Sequence, residues 1–163
     1  MDWFSIILCL GFVVILTYSV FSALLIGRLP ISLSETYYEL RRVGKGWYFS
    51  ATLFTLGITM MPIWLEKTSG LWYQFLVFIA CAAIIFVSAS PDYRKRGTVE
   101  RKVHYISAVV AMTAVVFYHI FNSTWPLLLI SLIPSIIALF KYKESLMLFL
   151  ELSIVGSVYL SLI

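Results

Sequence analysis

Charge is what this 163-residue chain has least of. Only 12% of its residues are Asp, Glu, Lys or Arg, about half the roughly 25% usual in soluble domains. By contrast 61% are hydrophobic, and the mean hydropathy is +0.96. So apolar a chain is expected to be solvated by lipid. Cysteine is also scarce: Cys9 and Cys81 both lie inside apolar runs, which argues against a disulfide framework or a zinc-type cluster. No Gly-rich phosphate loop and no HExxH, CxxC or GxSxG pattern occurs, so the usual sequence marks of several enzyme classes are missing. The last apolar run has no deep lysine for a retinal Schiff base. Met1-Asp2-Trp3 offers no basic leader region, and the run that follows is too long for a signal peptide, so it is read as the first span.

What is present is a series of apolar runs. They predict helices over Trp3 to Ile26, Trp47 to Leu65, Leu71 to Ser90, Val103 to Phe121, Trp125 to Phe140 and Ser145 to Ile163. The expected fold is therefore an all-α integral membrane protein, a bundle of six transmembrane helices forming one domain over residues 1–163. The fifth run is short and carries Pro126 near its start and Pro134 at an expected kink. Lys and Arg are distributed unevenly among the connections: four, five and two in the first, third and fifth, with Lys67 alone elsewhere. The positive-inside rule then places those three loops in the cytoplasm of a cell-membrane protein, with both termini outside. A basic balance of this kind orients a membrane protein and needs no nucleic-acid partner. The five tryptophans fall at run ends, where amphipathic rings favour the interface.

Between the first two runs lies a polar island, ISLSETYYELRR, residues 31–42. Ser32 and Glu35 match a capping box, in which hydroxyl and carboxylate take up backbone donors at a helix start. A short cytoplasmic interfacial helix from about Leu33 to Arg42 is expected, with Glu35 in its first turn, Arg41 and Arg42 in its last, and Gly44 as its left-handed stop. Glu151 is the costliest residue, about 10 Å inside the sixth run, where a carboxylate facing lipid is unfavourable. Asp92 and His104 flank the third connection. His119 lies about 22 Å along the fourth helix from His104, so the two cannot share one metal. Thr17, Ser19, Ser22, Thr52, Thr55, Ser88 and Ser107 also fall in the cytoplasmic halves of their runs, where they either line a cavity or bond their own helices. The candidate polar pocket is Ser32, Ser34, Glu35, Tyr38, Asp92, His104 and Glu151. Arg94, Lys95, Arg96, Arg101 and Lys102 form the candidate contact with anionic lipid.

Leu29-Pro30-Ile31-Ser32, the aromatic Gly46-Trp47-Tyr48-Phe49, Pro91-Asp92 and Val103-His104-Tyr105-Ile106-Ser107-Ala108 occur in an order that resembles the DRAM/Sfk/FGF-receptor-activating-protein group and its small prokaryotic six-span relatives. The resemblance covers about two thirds of the chain and implies six helices and a membrane-associated role. Here the I-S segment continues as L-S-E-T-Y-Y instead of the D-x-G common in eukaryotic members, so no residue role carries over. A second resemblance is to ceramidase-like membrane hydrolases, which bind zinc through a serine, an aspartate and three histidines. Ser32 or Ser34, Asp92 and His104 match part of that set, but the last helix has Glu151 in place of an H-x-x-x-H pair. No metal or cofactor is assigned. The expected function is binding of a lipid headgroup or small solute in a cytoplasm-facing pocket, or an accessory role beside a membrane-protein partner. Alternatives are a small proton-coupled transporter using Glu151 and His104, and a ceramidase-like metal hydrolase. No catalytic residue is assigned, and the balance of the sequence is against an enzyme.

Overall fold

The computed structural model describes residues 3–162, which are almost wholly helical. The helices are α1 (Trp3–Ile26), α2 (Leu33–Arg42), α3 (Trp47–Lys67), α4 (Gln74–Ala89), α5 (Val99–Phe121), α6 (Trp125–Ser131), α7 (Ile133–Lys141) and, after a short 3₁₀ turn, α8 (Leu146–Leu162). Counting that turn with α8, four helices are long and apolar enough to cross a membrane: α1, α3, α5 and α8. Their length and composition suggest a membrane protein. The apolar stretches of α4 and of α6 with α7 are shorter. At 1.5 Å per residue the 16 residues of α4 reach about 24 Å, less than the roughly 30 Å hydrocarbon core.

Which face turns inward follows from spacing. On α1 the buried residues are Leu8, Gly11, Ile15, Tyr18 and Ser22, three or four apart, while Leu10, Val13, Leu16, Val20 and Leu24 are exposed between them. Apolar residues therefore cover both faces, and only the inner stripe packs on protein, as expected where the outer solvent is lipid. α3 and α4 pack along their lengths, and α5 packs on the far side of α4. A Cβ at Gly57 would come within 2.8 Å of Ile85 and 3.2 Å of the Cys81 carbonyl, so glycine sets how closely α3 and α4 approach. Trp64 and Tyr118 meet edge to face at 4.8 Å in the bundle core.

Besides small shifts, α3 running on to Lys67 and α8 starting at Leu146, three larger differences from the expected boundaries occur. α5 begins four residues earlier, because the Thr98 hydroxyl accepts from the Arg101 amide and Glu100 occupies the first turn. The fifth run is two helices. Pro134 has no N–H to give to Ile130, and the chain turns at Leu132 between α6 and α7. α4 starts at Gln74 instead of Leu71, after a turn in which the Leu71 amide bonds the Thr68 carbonyl. The expected end of the last helix at Ile163 lies outside the described residues.

α2 has the expected boundaries. Ser32 is its N-cap, its hydroxyl accepting from the Glu35 amide at 3.1 Å. At the other end Lys45 N–H bonds the Leu40 carbonyl and Gly44 N–H the Arg41 carbonyl, with Gly44 at φ +73°. This is a Schellman stop that only a glycine adopts without strain. Leu33, Glu35, Thr36 and Leu40 are buried, and α2 lies against α1, α3 and the start of α8.

Candidate functional site

Glu35 joins three segments of chain. Only 4% exposed, it accepts a hydrogen bond from the Ile31 amide, one residue before the donor an ordinary capping box would use. The same carboxylate meets Arg28 at 3.2 Å and Arg94 at 3.4 Å. The end of α1, the start of α2 and the α4–α5 connection are thus tied by one side chain. Glu39 extends the network to Arg42 at 2.8 Å and Arg28 at 3.7 Å. Tyr38 donates to Asp92 at 3.1 Å and accepts from the Arg94 amide at 2.6 Å, and the Arg94 guanidinium lies 4.4 Å over its ring. Burial pushes the Tyr38 phenol up to about 12; the Asp92 carboxylate adds to the rise and the Arg94 amide opposes it. Asp92 also meets Arg41 at 3.4 Å.

His104 is buried, with both ring nitrogens engaged. Nδ1 is 2.9 Å from the Ser90 carbonyl oxygen and Nε2 is 3.0 Å from Ser34 Oγ. Tyr93 stacks on the imidazole at 4.6 Å. Glu151 accepts from the Leu33 amide at 2.6 Å. A carboxylate from the last helix thus completes the capping of α2, at the end where the helix dipole favours an anion. Beside it the Leu148 amide bonds the Ile31 carbonyl at 3.0 Å and the Ser145 hydroxyl bonds the Leu29 carbonyl at 3.4 Å. The segment before α2 is therefore seated on the start of α8.

Above this seat is a partly open cavity of about 110 Å³ lined by α3, α4, α5 and α8. Its lining on α3 extends from Leu53 to Trp64, residues about 16 Å apart along the helix axis. Its wall is apolar except near α2, where Ser34 and Glu151 line it. Ser32, Glu35, Tyr38, Asp92 and His104 are not among its lining residues. Ser32 is spent on the helix cap, Glu35, Tyr38 and Asp92 form the charged network, and His104 reaches the cavity only through Ser34. Several hydroxyls in the spans serve their own helices: Ser19 bonds the Ile15 carbonyl, Thr59 that of Thr55 and Ser88 that of Ile85. At the opposite end Trp64, 1% exposed, has an indole N–H with no partner among the described residues.

The basic cluster divides. Arg94 turns inward to Glu35, and Lys95 is exposed. Arg96, Arg101 and Lys102 edge a surface depression with Thr98 and Tyr105, and Arg101 lies 5.5 Å over the Tyr105 ring. His119, at the other end of α5, contacts Thr124 Oγ1 and Ser157 Oγ, each at 2.9 Å. Among the described residues no group of three or more His, Cys, Asp or Glu side chains is placed to hold a metal ion.

Sequence reasoning missed Arg28 as a ligand of Glu35, although the seven-residue spacing across a Pro-containing turn was there to be read. It also missed the apolar wall of Met60, Trp64 and Val115, for which no signal existed, because a residue facing a cavity has the same composition as one facing lipid. No family model, no curated protein and no solved structure matches this chain.

Proposed function

We propose that this is a multi-pass membrane protein that holds an amphiphile inside its helix bundle, with the tail in the apolar cavity and the polar head at Ser34 and Glu151. The observation that carries this reading is the cavity's polarity: an apolar wall lined along α3 from Leu53 to Trp64, with a hydroxyl and a carboxylate at one end only. Such a wall suits a ligand with one long apolar part and one hydrogen-bonding part. A small polar solute would leave most of the wall unmatched. The eleven cations of the first, third and fifth connections orient that polar end toward the cytoplasm. In this orientation all six apolar stretches cross the bilayer, α6 and α7 together forming the fifth. Arg96, Arg101 and Lys102 then face the anionic leaflet, each contributing about 1 kcal/mol of attraction near its surface.

Filling the cavity tests the reading. Ala111 lines it, and Ala111→Leu adds volume where there is a void. Native mass spectrometry of the protein released from detergent is expected to show a bound amphiphile on the unaltered protein and none on Ala111→Leu, with a melting temperature unchanged or raised. Equal occupancy of the two proteins, or none on the unaltered one, overturns it.

A further inference from the structure

The two histidines of α5 each hold a serine hydroxyl on Nε2, but the pairs are not equivalent. Ser157 donates its proton to the Ile154 carbonyl at 2.7 Å, so toward His119 it can only accept. His119 Nε2 therefore carries hydrogen, and the pair is a fixed structural contact with the serine wholly buried. At His104 the order is reversed. Nδ1 faces the Ser90 carbonyl, which can only accept, so Nδ1 carries hydrogen in the neutral ring and Nε2 presents a lone pair to Ser34. No bond from the Ser34 hydroxyl to its own helix carbonyls competes, so its proton is free to be given to that lone pair. Unlike Ser157, Ser34 is half-buried and lines the cavity.

We propose that Ser34 is a nucleophile and His104 its general base, acting on a carboxylic ester whose acyl chain lies in the bundle cavity. The substrate class rests on the amphiphile reading above, whereas the pairing of Ser34 with His104 does not. Ser34 Oγ bonds the acyl carbon as its proton passes to His104 Nε2. The bond from that carbon to the alcohol oxygen breaks, and the imidazolium returns the proton to the departing alcohol. Water, or a second alcohol, repeats the sequence on the acyl-serine, leaving a carboxylic acid or a new ester and restoring Ser34. The Ser90 carbonyl plays the orienting part, holding the tautomer that leaves Nε2 free. Ser34 is the second residue of α2, whose first-turn amides have no acceptor within their own helix. Two of these amides are taken, Leu33 by Glu151 and Glu35 by Ser32. The Ser34 amide lies between them at the positive end of the helix, where charge on the acyl oxygen develops.

The test uses the full-length protein in nanodiscs and two alkyl fluorophosphonates, one with an ethyl and one with a decyl chain. Mass spectrometry is expected to find the phosphonyl group on Ser34, with labelling abolished in Ser34→Ala, slowed at least 100-fold in His104→Gln and unchanged in Ser157→Ala. Ser34→Cys provides the second readout. Around the pair, Glu151 lines the cavity with Ser34, Tyr93 stacks on the imidazole, and Glu35, Asp92 and Arg94 belong to the network beside it. The carboxylates favour the imidazolium and oppose the thiolate, so His104 is the group that lowers the introduced thiol. Alkylation of that thiol is expected to titrate at lower pH with His104 present than when His104→Gln is added. Labelling that ignores His104 overturns the proposal. So does a Ser34→Cys thiol whose titration does not move when His104→Gln is added, and this also decides the case in which no phosphonate attaches. Equal rates for the two chain lengths contradict the cavity reading and leave the pair standing.

Discussion

Removing the Glu35 carboxylate is expected to loosen the polar end of the bundle by an amount the structure allows to be worked out. Three groups lose their acceptor in Glu35→Ala: the Ile31 amide, Arg28 at 3.2 Å and Arg94 at 3.4 Å. The amide bond is charge-assisted and contributes about 1.5–3 kcal/mol. Arg28 and Arg94 are each about half exposed, 49% and 48%, so water re-solvates them and each pair contributes only about 0–1 kcal/mol. The full penalty for stranding a buried charge, about 3–5 kcal/mol, does not apply. The sum is about 1.5–5 kcal/mol, or roughly 3–20 °C in melting temperature for a chain of this size. Glu35→Gln keeps an oxygen for the Ile31 amide and loses only the ion pairs, so its loss is about 1 kcal/mol, or roughly 2–4 °C. Thermal unfolding of the three proteins in one detergent, followed by tryptophan fluorescence at 0.05 and 1 M NaCl, measures both. High salt is expected to shrink the gap between the unaltered protein and Glu35→Gln while most of the Glu35→Ala loss persists. A Glu35→Ala protein within about 1 °C of the unaltered one, or a Glu35→Gln protein equally unstable, would refute the assignment of Glu35 as the junction.

Gly57→Ala is expected to destabilise by about 1–3 kcal/mol through crowding of Ile85, whereas Gly156→Ala, whose Cβ meets nothing within 4 Å, should be neutral or gain up to about 1 kcal/mol of helix propensity; denaturation midpoints compare them. The Tyr38 phenol is raised from 10 to about 12, so the folded state favours its protonated form. The stability it confers is complete below pH 10 and is lost as pH rises from 10 to 12, and Tyr38→Phe should flatten that part of the alkaline unfolding curve. For orientation, Lys67→Cys is expected to react with an impermeant maleimide on intact cells and Lys95→Cys only after permeabilisation. Reaction of both from outside would show that α4 does not cross the bilayer.

How much of this was legible in the sequence depends on distance along the chain. α2 could be read to the residue, because the Ser32 cap and the Gly44 stop act within their own turns and require no tertiary partner, whereas the ion pairs of Glu35 with Arg28 and Arg94 lay outside that local reading. The break between α6 and α7 was half legible: Pro134 announces a lost hydrogen bond, but whether a helix bends or divides depends on what packs beside it. Glu151 stood out as an expensive residue, yet its partner, the Leu33 amide, lies 118 positions away and is a backbone group that every residue but proline possesses. The candidate pocket residues were chosen for polarity, and polarity brought them to one end of the bundle. It could not tell those that face the cavity, Ser34 and Glu151, from those that bind one another beneath it.

The central claim is that the bundle interior, not its outer surface, receives the apolar part of a ligand. Photocrosslinking with a long-chain alcohol bearing a diazirine near its tail, followed by peptide mapping, tests this most directly. Adducts on Met112 and Ile154, which line the cavity, that disappear in Ala111→Leu are the predicted result. Adducts confined to outward-facing residues such as Phe78, Phe86 and Val109, unaffected by that substitution, would contradict it.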